Sequence, residues 1–192
     1  MLIYLFLISI TILIMLVLNI FIGIDKYNYS TSYIIGMIVI HIVAVFIIDA
    51  IVAFVINKLP KKWFNYKSSV FKIYNWENSF YNHLKIRKWK EHIPELGMLA
   101  GFRKNKIKEP NNNDYLSVYL EQSCIGITVH SYSILLGFLI FLIKPKYFFF
   151  FALPVSITNG IIHFLSLSIL RYNVPKLIRL FERNKKRVLK SE

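Results

Sequence analysis

The sequence predicts an all-α, polytopic membrane protein with about four transmembrane helices and a basic, aromatic-rich cytoplasmic segment between the second and the third. Three observations carry that reading. Of 192 residues, 56% are hydrophobic and the mean hydropathy is +0.50, which is too apolar for an ordinary water-soluble domain. The apolar residues gather into runs long enough, at about 20 residues per crossing, to span a bilayer. The net charge of +14 is concentrated outside those runs, as the cost of placing cations in hydrocarbon requires.

Each run can be justified in order. Met1 to Ile24 has no charged side chain. Without a basic leader region or a small-residue cleavage site, it reads as an uncleaved helix rather than a signal peptide. The second crossing is assigned to residues 32–56, where Asp49 is the only charge. "PNNND" at Pro110 to Asp114 is the clearest loop, and Asn113 or Asp114 is expected to cap the helix that becomes the third crossing. Residues 120–170 hold the third and fourth crossings, from about Leu120 to Ile143 and from about Phe148 to Leu170. The short Lys144-Pro145-Lys146 link makes that pair antiparallel. A membrane-proximal segment, 58–113, and a basic tail, 171–192, complete the chain.

Charge sets the expected orientation. Of 24 Lys and Arg, 13 lie between Lys58 and Lys108 and 8 between Arg171 and Lys190, whereas the connection after the first run carries only Lys26 against Asp25. The positive-inside bias therefore puts the central segment, the tail and both termini on the cytoplasmic side of a multi-pass cell-membrane protein, with Lys144 and Lys146 as exceptions. The single cysteine, Cys124, excludes a disulfide framework or cysteine cluster. The His spacings match no metal-ligand pattern, and neither a phosphate loop nor a Ser-His-Asp order is present, so no metal or cofactor is expected. Trp63, Phe64, Phe71, Tyr74, Trp76, Phe80, Tyr81 and Trp89 alternate with cations in the central segment. Between two membrane runs, that mixture reads as headgroup-level aromatics and cations facing anionic lipid. The lipid bilayer, not nucleic acid, is the expected partner.

Polar residues inside the runs are costly and therefore informative. Ser123, Gly126, His130, Ser133 and Gly137 recur at helical spacing on one face of the third run, and Ser156, Asn159, His163 and Ser166 do the same on the fourth. Small and polar faces are what membrane helices bring together, so His130 and His163 are expected to share one interior, as packing residues or as functional ones. His41 and Asp49 lie roughly 80° apart on an ideal helix and can share a face.

"KLPKKWF" at Lys58 to Phe64, "VFKIYNWE" at Val70 to Glu77, "RKWKEHIPELG" at Arg87 to Gly97, the His of the third run and "RYNVPKLIRL" at Arg171 to Leu180 occur in one order along two thirds of the chain. This set resembles the small membrane acyltransferases that esterify glycosyl-4,4'-diaponeurosporenoate, the last step of staphyloxanthin-type carotenoid synthesis. The chain departs from that pattern at Ile127, where a second Glu is expected, and at Val174, where a basic residue is usual.

The resemblance implies transfer of a fatty acyl group, from acyl-CoA or another donor acting as substrate, to a lipid-soluble glycosylated acceptor, with carotenoid-pathway enzymes as possible partners. Under it, His130 is the candidate general base, with Glu121 as the second catalytic candidate. Nine residues separate the two, which puts Glu121 on the opposite helical face, at the mouth of the site. Asn159 and His163 are candidate hydrogen-bond donors to the substrate. Arg87, Lys88, Lys90, Arg103 and Lys104 are candidates to hold phosphates. Pro94 and Gly97 turn the chain between those two basic clusters, and Trp89 and Phe102 anchor it. Arg171, Tyr172 and Asn173 complete the substrate-binding set. A non-catalytic membrane scaffold or stabilising subunit derived from the same family is the alternative, and it would account for Ile127.

Overall fold

The computed structural model describes residues 2–24, 27–93 and 107–191. Among them there is no strand, and four helices are long and apolar enough to cross a membrane: Leu2–Ile24, Thr31–Lys58, Asn113–Ile143 and Ala152–Arg187. The first comprises α1, Leu2–Leu18, and a π-helical end, Asn19–Ile24. α2 is Thr31–Lys58. Ser30 caps it, its Oγ accepting the Tyr33 N–H at 3.2 Å. After two 3₁₀ turns come the short helices α3, Asn75–His83, and α4, Ile86–Trp89, separated by Lys85 in the left-handed region at φ 52°. α5 spans Asn113–Leu136 and tightens to 3₁₀ over Gly137–Ile143; α6 spans Ala152–Ser191.

Two boundaries differ from those read in the sequence. The cap of α5 is Asn112, one residue before the expected pair, because its Oδ1 accepts the Tyr115 N–H at 3.1 Å. From that cap α5 runs some seven residues before the third hydrophobic run, as a cap in the loop implies, and there Leu116, Tyr119 and Leu120 are buried with Leu177. Residues 171–191 are no separate element but the continuation of α6. Val174 and Leu177 form its buried stripe, and Pro175 is accommodated inside it although it withholds an N–H from the ladder.

The chain divides into two compact units, Met1–Val55 with Val129–Phe164, and Ile56–Thr128 with Leu165–Glu192. In the first, a core of Met15, Ile34, Met37, Ile38, Val45, Ile140, Phe151 and Val155 joins α1, α2, α6 and the end of α5. Polar contacts fix its register. Thr11 and Thr158 share a short hydroxyl hydrogen bond, and the Asn19 amide donates to the carbonyls of Met15 (2.8 Å) and Phe150 (3.3 Å). The second unit packs Phe64, Phe71, Tyr81, Ile86 and Ile93 of the central segment into a buried set, which is why that segment is structured rather than a tether.

Candidate functional site

The first unit carries a chain of three titratable side chains. α2 supplies Asp49, α6 supplies His163 and α5 supplies His130. His163 Nε2 lies 3.0 Å from Asp49 Oδ2, and His163 Nδ1 lies 2.9 Å from His130 Nδ1. The carboxylate can only accept, so a neutral His163 donates from Nε2 and accepts at Nδ1. His130 then donates from Nδ1, which places its lone pair on Nε2. This is the arrangement by which a carboxylate fixes the tautomer of an imidazole, extended by one ring. Only 13% of the His163 side chain and 17% of the Asp49 side chain are exposed, so solvent screens the chain weakly.

Asn159 holds the acid in place. Its Nδ2 lies 3.5 Å from Asp49 Oδ1 and 3.3 Å from the Ser133 carbonyl, so both amide hydrogens have partners inside the unit. In this arrangement Asn159 positions Asp49. The helix face that carries Asn159 fits because residue 137 is Gly: a Cβ there would stand 2.5 Å from Asn159 Nδ2. Ser156 Oγ donates to the Gly137 carbonyl at 3.2 Å. The two small-polar faces thus meet over Ser133, Gly137, Ser156 and Asn159, as their spacing predicts. His41 does not join Asp49. It is buried, pairs through Nδ1 with the Met37 carbonyl at 2.8 Å and stacks on Phe151, because it faces the apolar core of its unit.

A different constellation occupies the second unit. Arg171 grips the Glu77 carboxylate with two nitrogens, Nε to Oε2 at 2.7 Å and Nη2 to Oε1 at 2.8 Å, and Nη2 also donates to the Lys72 carbonyl at 3.1 Å. The Tyr74 N–H donates to Glu77 Oε1 at 3.3 Å, which closes the first turn of α3. Burial pushes the Glu77 carboxyl up, but the Arg171 guanidinium outweighs it and holds the group below the usual carboxylate range. Arg171 thus ties α3 to α6. Tyr172 lies beneath the Lys176 ammonium, 3.3 Å from ring centroid to Nζ. Asn173 and Lys90 line an open cavity of about 510 Å³.

The remaining expected residues separate. Glu121 pairs with Lys61 at 3.3 Å inside the second unit, an ion pair with a mostly exposed partner, and is no part of the His130 chain. Arg87 and Lys88 are exposed, while Trp89 spends its indole N–H on the Leu84 carbonyl at 2.9 Å. Pro94, Gly97, Phe102, Arg103 and Lys104 lie outside the described residues. Sequence reasoning omitted Asp49 and Glu77 from the site. The signal for Asp49 was available, as the sole charge in an apolar run; Glu77 is likewise the sole charge between Lys72 and Lys85 and closes one of the quoted motifs, but neither observation names Arg171 as its partner.

The family model for glycosyl-4,4'-diaponeurosporenoate acyltransferase matches residues 60–183, close to two thirds of the chain. The chain belongs to that family. The family's name is that of an acyltransferase of carotenoid biosynthesis, which suggests the same class of activity for this chain. No curated protein and no solved structure matches it. The matched region includes His130, His163, Glu77 and Arg171, whereas Asp49 falls before it.

Proposed function

We propose that the protein is a membrane acyltransferase that esterifies a fatty acyl group onto a hydroxyl of glycosyl-4,4'-diaponeurosporenoate or a similar glycosylated C30 carotenoid acid, with His130 as general base. The observation that carries this reading is the Asp49–His163–His130 hydrogen-bonded chain. A sugar hydroxyl is a poor nucleophile until its proton has an acceptor as the C–O bond forms. His130 Nε2 takes that proton while the oxygen attacks the acyl carbonyl. Positive charge then spreads through His163 toward the Asp49 carboxylate, which stabilises it without itself being protonated. When the bond to the leaving group breaks, the His130 imidazolium returns its proton to it: a thiolate if the donor is a fatty acyl-CoA. No covalent enzyme intermediate is needed. The four apolar helices support a bilayer location, in which acceptor and acyl chain are both soluble. The charge asymmetry supports a cytoplasmic central segment and cytoplasmic termini.

The test is ester formation on a glycosylated C30 carotenoid acid, normalised to membrane protein, for wild type and His130→Gln. Glutamine keeps size and some hydrogen bonding but cannot shuttle a proton, so turnover should fall about 10²- to 10⁴-fold at unchanged abundance. Retained specific activity would refute the base. Wild-type inactivity with every candidate donor would instead favour a stabilising subunit, the reading that Ile127 in place of a second Glu would fit.

A further inference from the structure

The cavity in the second unit is not used by the acyl-transfer chemistry above. Its lining combines four cations, Lys90, Lys176, Arg179 and Arg183, with an apolar floor that includes Tyr119 and Leu177. The three cations of α6 fall at spacings of three and four, so they form one stripe along one helical face. Among the described residues no carboxylate lines the cavity; Glu182 lines a neighbouring hollow that shares Arg179 and Arg183 with it and adds Lys186 and Arg187, so cations remain in excess there too. The walls are held open by packing. Tyr119 and Leu177 belong to a buried cluster with Leu116 and Leu120, and Asn184 Nδ2 donates to the Pro110 carbonyl at 2.6 Å, tying α6 to the loop before α5. Four like charges around one void repel one another unless an anion sits among them. Cations above an apolar floor match a molecule with a phosphate at one end and hydrocarbon at the other.

We infer that this cavity binds the phosphate end of an acylated amphiphile, with Lys90, Lys176, Arg179 and Arg183 around the phosphate and the apolar part of the molecule next to it against Tyr119 and Leu177. Where the ligand is an acyl-CoA the inference rests on the proposed acyl transfer, but its readout is binding and needs no turnover. Two sources present this chemistry, the pyrophosphate of an acyl-CoA and the headgroup of an anionic phospholipid.

The experiment measures equilibrium binding of fluorescent palmitoyl-CoA to the full-length protein in phosphatidylcholine nanodiscs, with no acceptor present. The triple variant Lys176→Gln/Arg179→Gln/Arg183→Gln should bind at least about tenfold more weakly. A control losing equal charge, Lys62→Gln/Lys67→Gln/Lys108→Gln, should bind like wild type. Each single α6 variant changes an exposed side chain and should weaken binding about threefold or more, which keeps the test usable if the triple variant does not assemble. Doping the nanodiscs with phosphatidylglycerol separates the sources: competition in wild type identifies a lipid headgroup site, and no competition identifies the pyrophosphate. Equal losses in the α6 and control triples would reduce the cavity to diffuse surface charge and overturn the inference, as would failure of both ligands to bind wild type.

Discussion

Each compact unit holds a carboxylate against a nitrogen base, and the two pairs differ in what the base can do. Asp49 meets an imidazole, and behind that imidazole stands another at 2.9 Å. Glu77 meets a guanidinium that grips it with two nitrogens, 2.7 and 2.8 Å away. An imidazole can gain and lose a proton near neutral pH, so the first arrangement can move one. A guanidinium does not lose its proton in a protein, so the second can only hold. The same contact, acid to base at hydrogen-bond distance, is thus a candidate for catalysis in one place and a clasp in the other. The side chain opposite the carboxylate decides which.

The sharpest way to break this contrast is at the two acids. Asp49→Asn keeps the shape of the chain but removes the charge that stabilises the imidazolium and favours the wrong tautomer of His163. Ester formation per molecule should fall about 10³- to 10⁴-fold with little change in abundance. If abundance falls and specific activity survives, the two regions are alike and both are clasps. Arg171→Gln should do the reverse. Removing one partner of a nearly buried ion pair should cost about 3–5 kcal/mol of stability, read as a lower melting temperature in detergent, with activity lost only in proportion to folded protein.

A finer test uses both partners of the clasp. Replacing Glu77 and Arg171 together with Met should destabilise less than either single change, because no buried charge is left unpaired. A double variant as damaged as the sum of the singles would give Arg171 a role beyond Glu77.

Acid should discriminate the regions as well. The Glu77 carboxyl is held below its ordinary 4.5. Its contribution is therefore complete above that value and is lost as pH falls through the lower folded-state value. Thermal scans should show a loss of stability in wild type below about pH 4.5 that is smaller in Glu77→Gln.

The smallest expected effect concerns helix contact. Gly137→Ala must displace the Asn159 amide that steadies Asp49, whereas Ser156→Ala removes one hydrogen bond to the Gly137 carbonyl. The serine change should cost about 0.6 kcal/mol of helix association and leave turnover intact, while the alanine should lower turnover as well. Equal effects on turnover would detach Asn159 from the site.

How far the sequence could be read follows from the range of the forces involved. Hydrophobic run length located all four long helices, because burying apolar side chains depends on composition summed over about 20 residues. It does not mark where the last helix ends. Cap chemistry in the loop found the start of α5 to within a residue, but Pro175 looks like a stop until the buried stripe of α6 carries the helix past it. The small-polar faces of the third and fourth runs were legible, since a three- and four-residue period is a property of one helix. The residues assigned to phosphates were less so: Lys90 lines a cavity, but its neighbours Arg87 and Lys88 face outward.

What the sequence by itself determined is the class of the molecule: all-α, four helices able to cross a membrane, charge segregated from their apolar runs, the family, and a shared interior for His130 and His163. Only the tertiary structure decided which acid serves them. Asp49 is 114 positions from His163 and nothing in local pattern distinguishes it from a partner of His41, eight residues away and on a compatible face. Likewise Glu77 and Arg171 are 94 positions apart, in two separate motifs that nothing in local pattern pairs. Hydrogen bonds act over about 3 Å, and a one-dimensional period cannot say which of several distant side chains the packing of helices will bring within that reach.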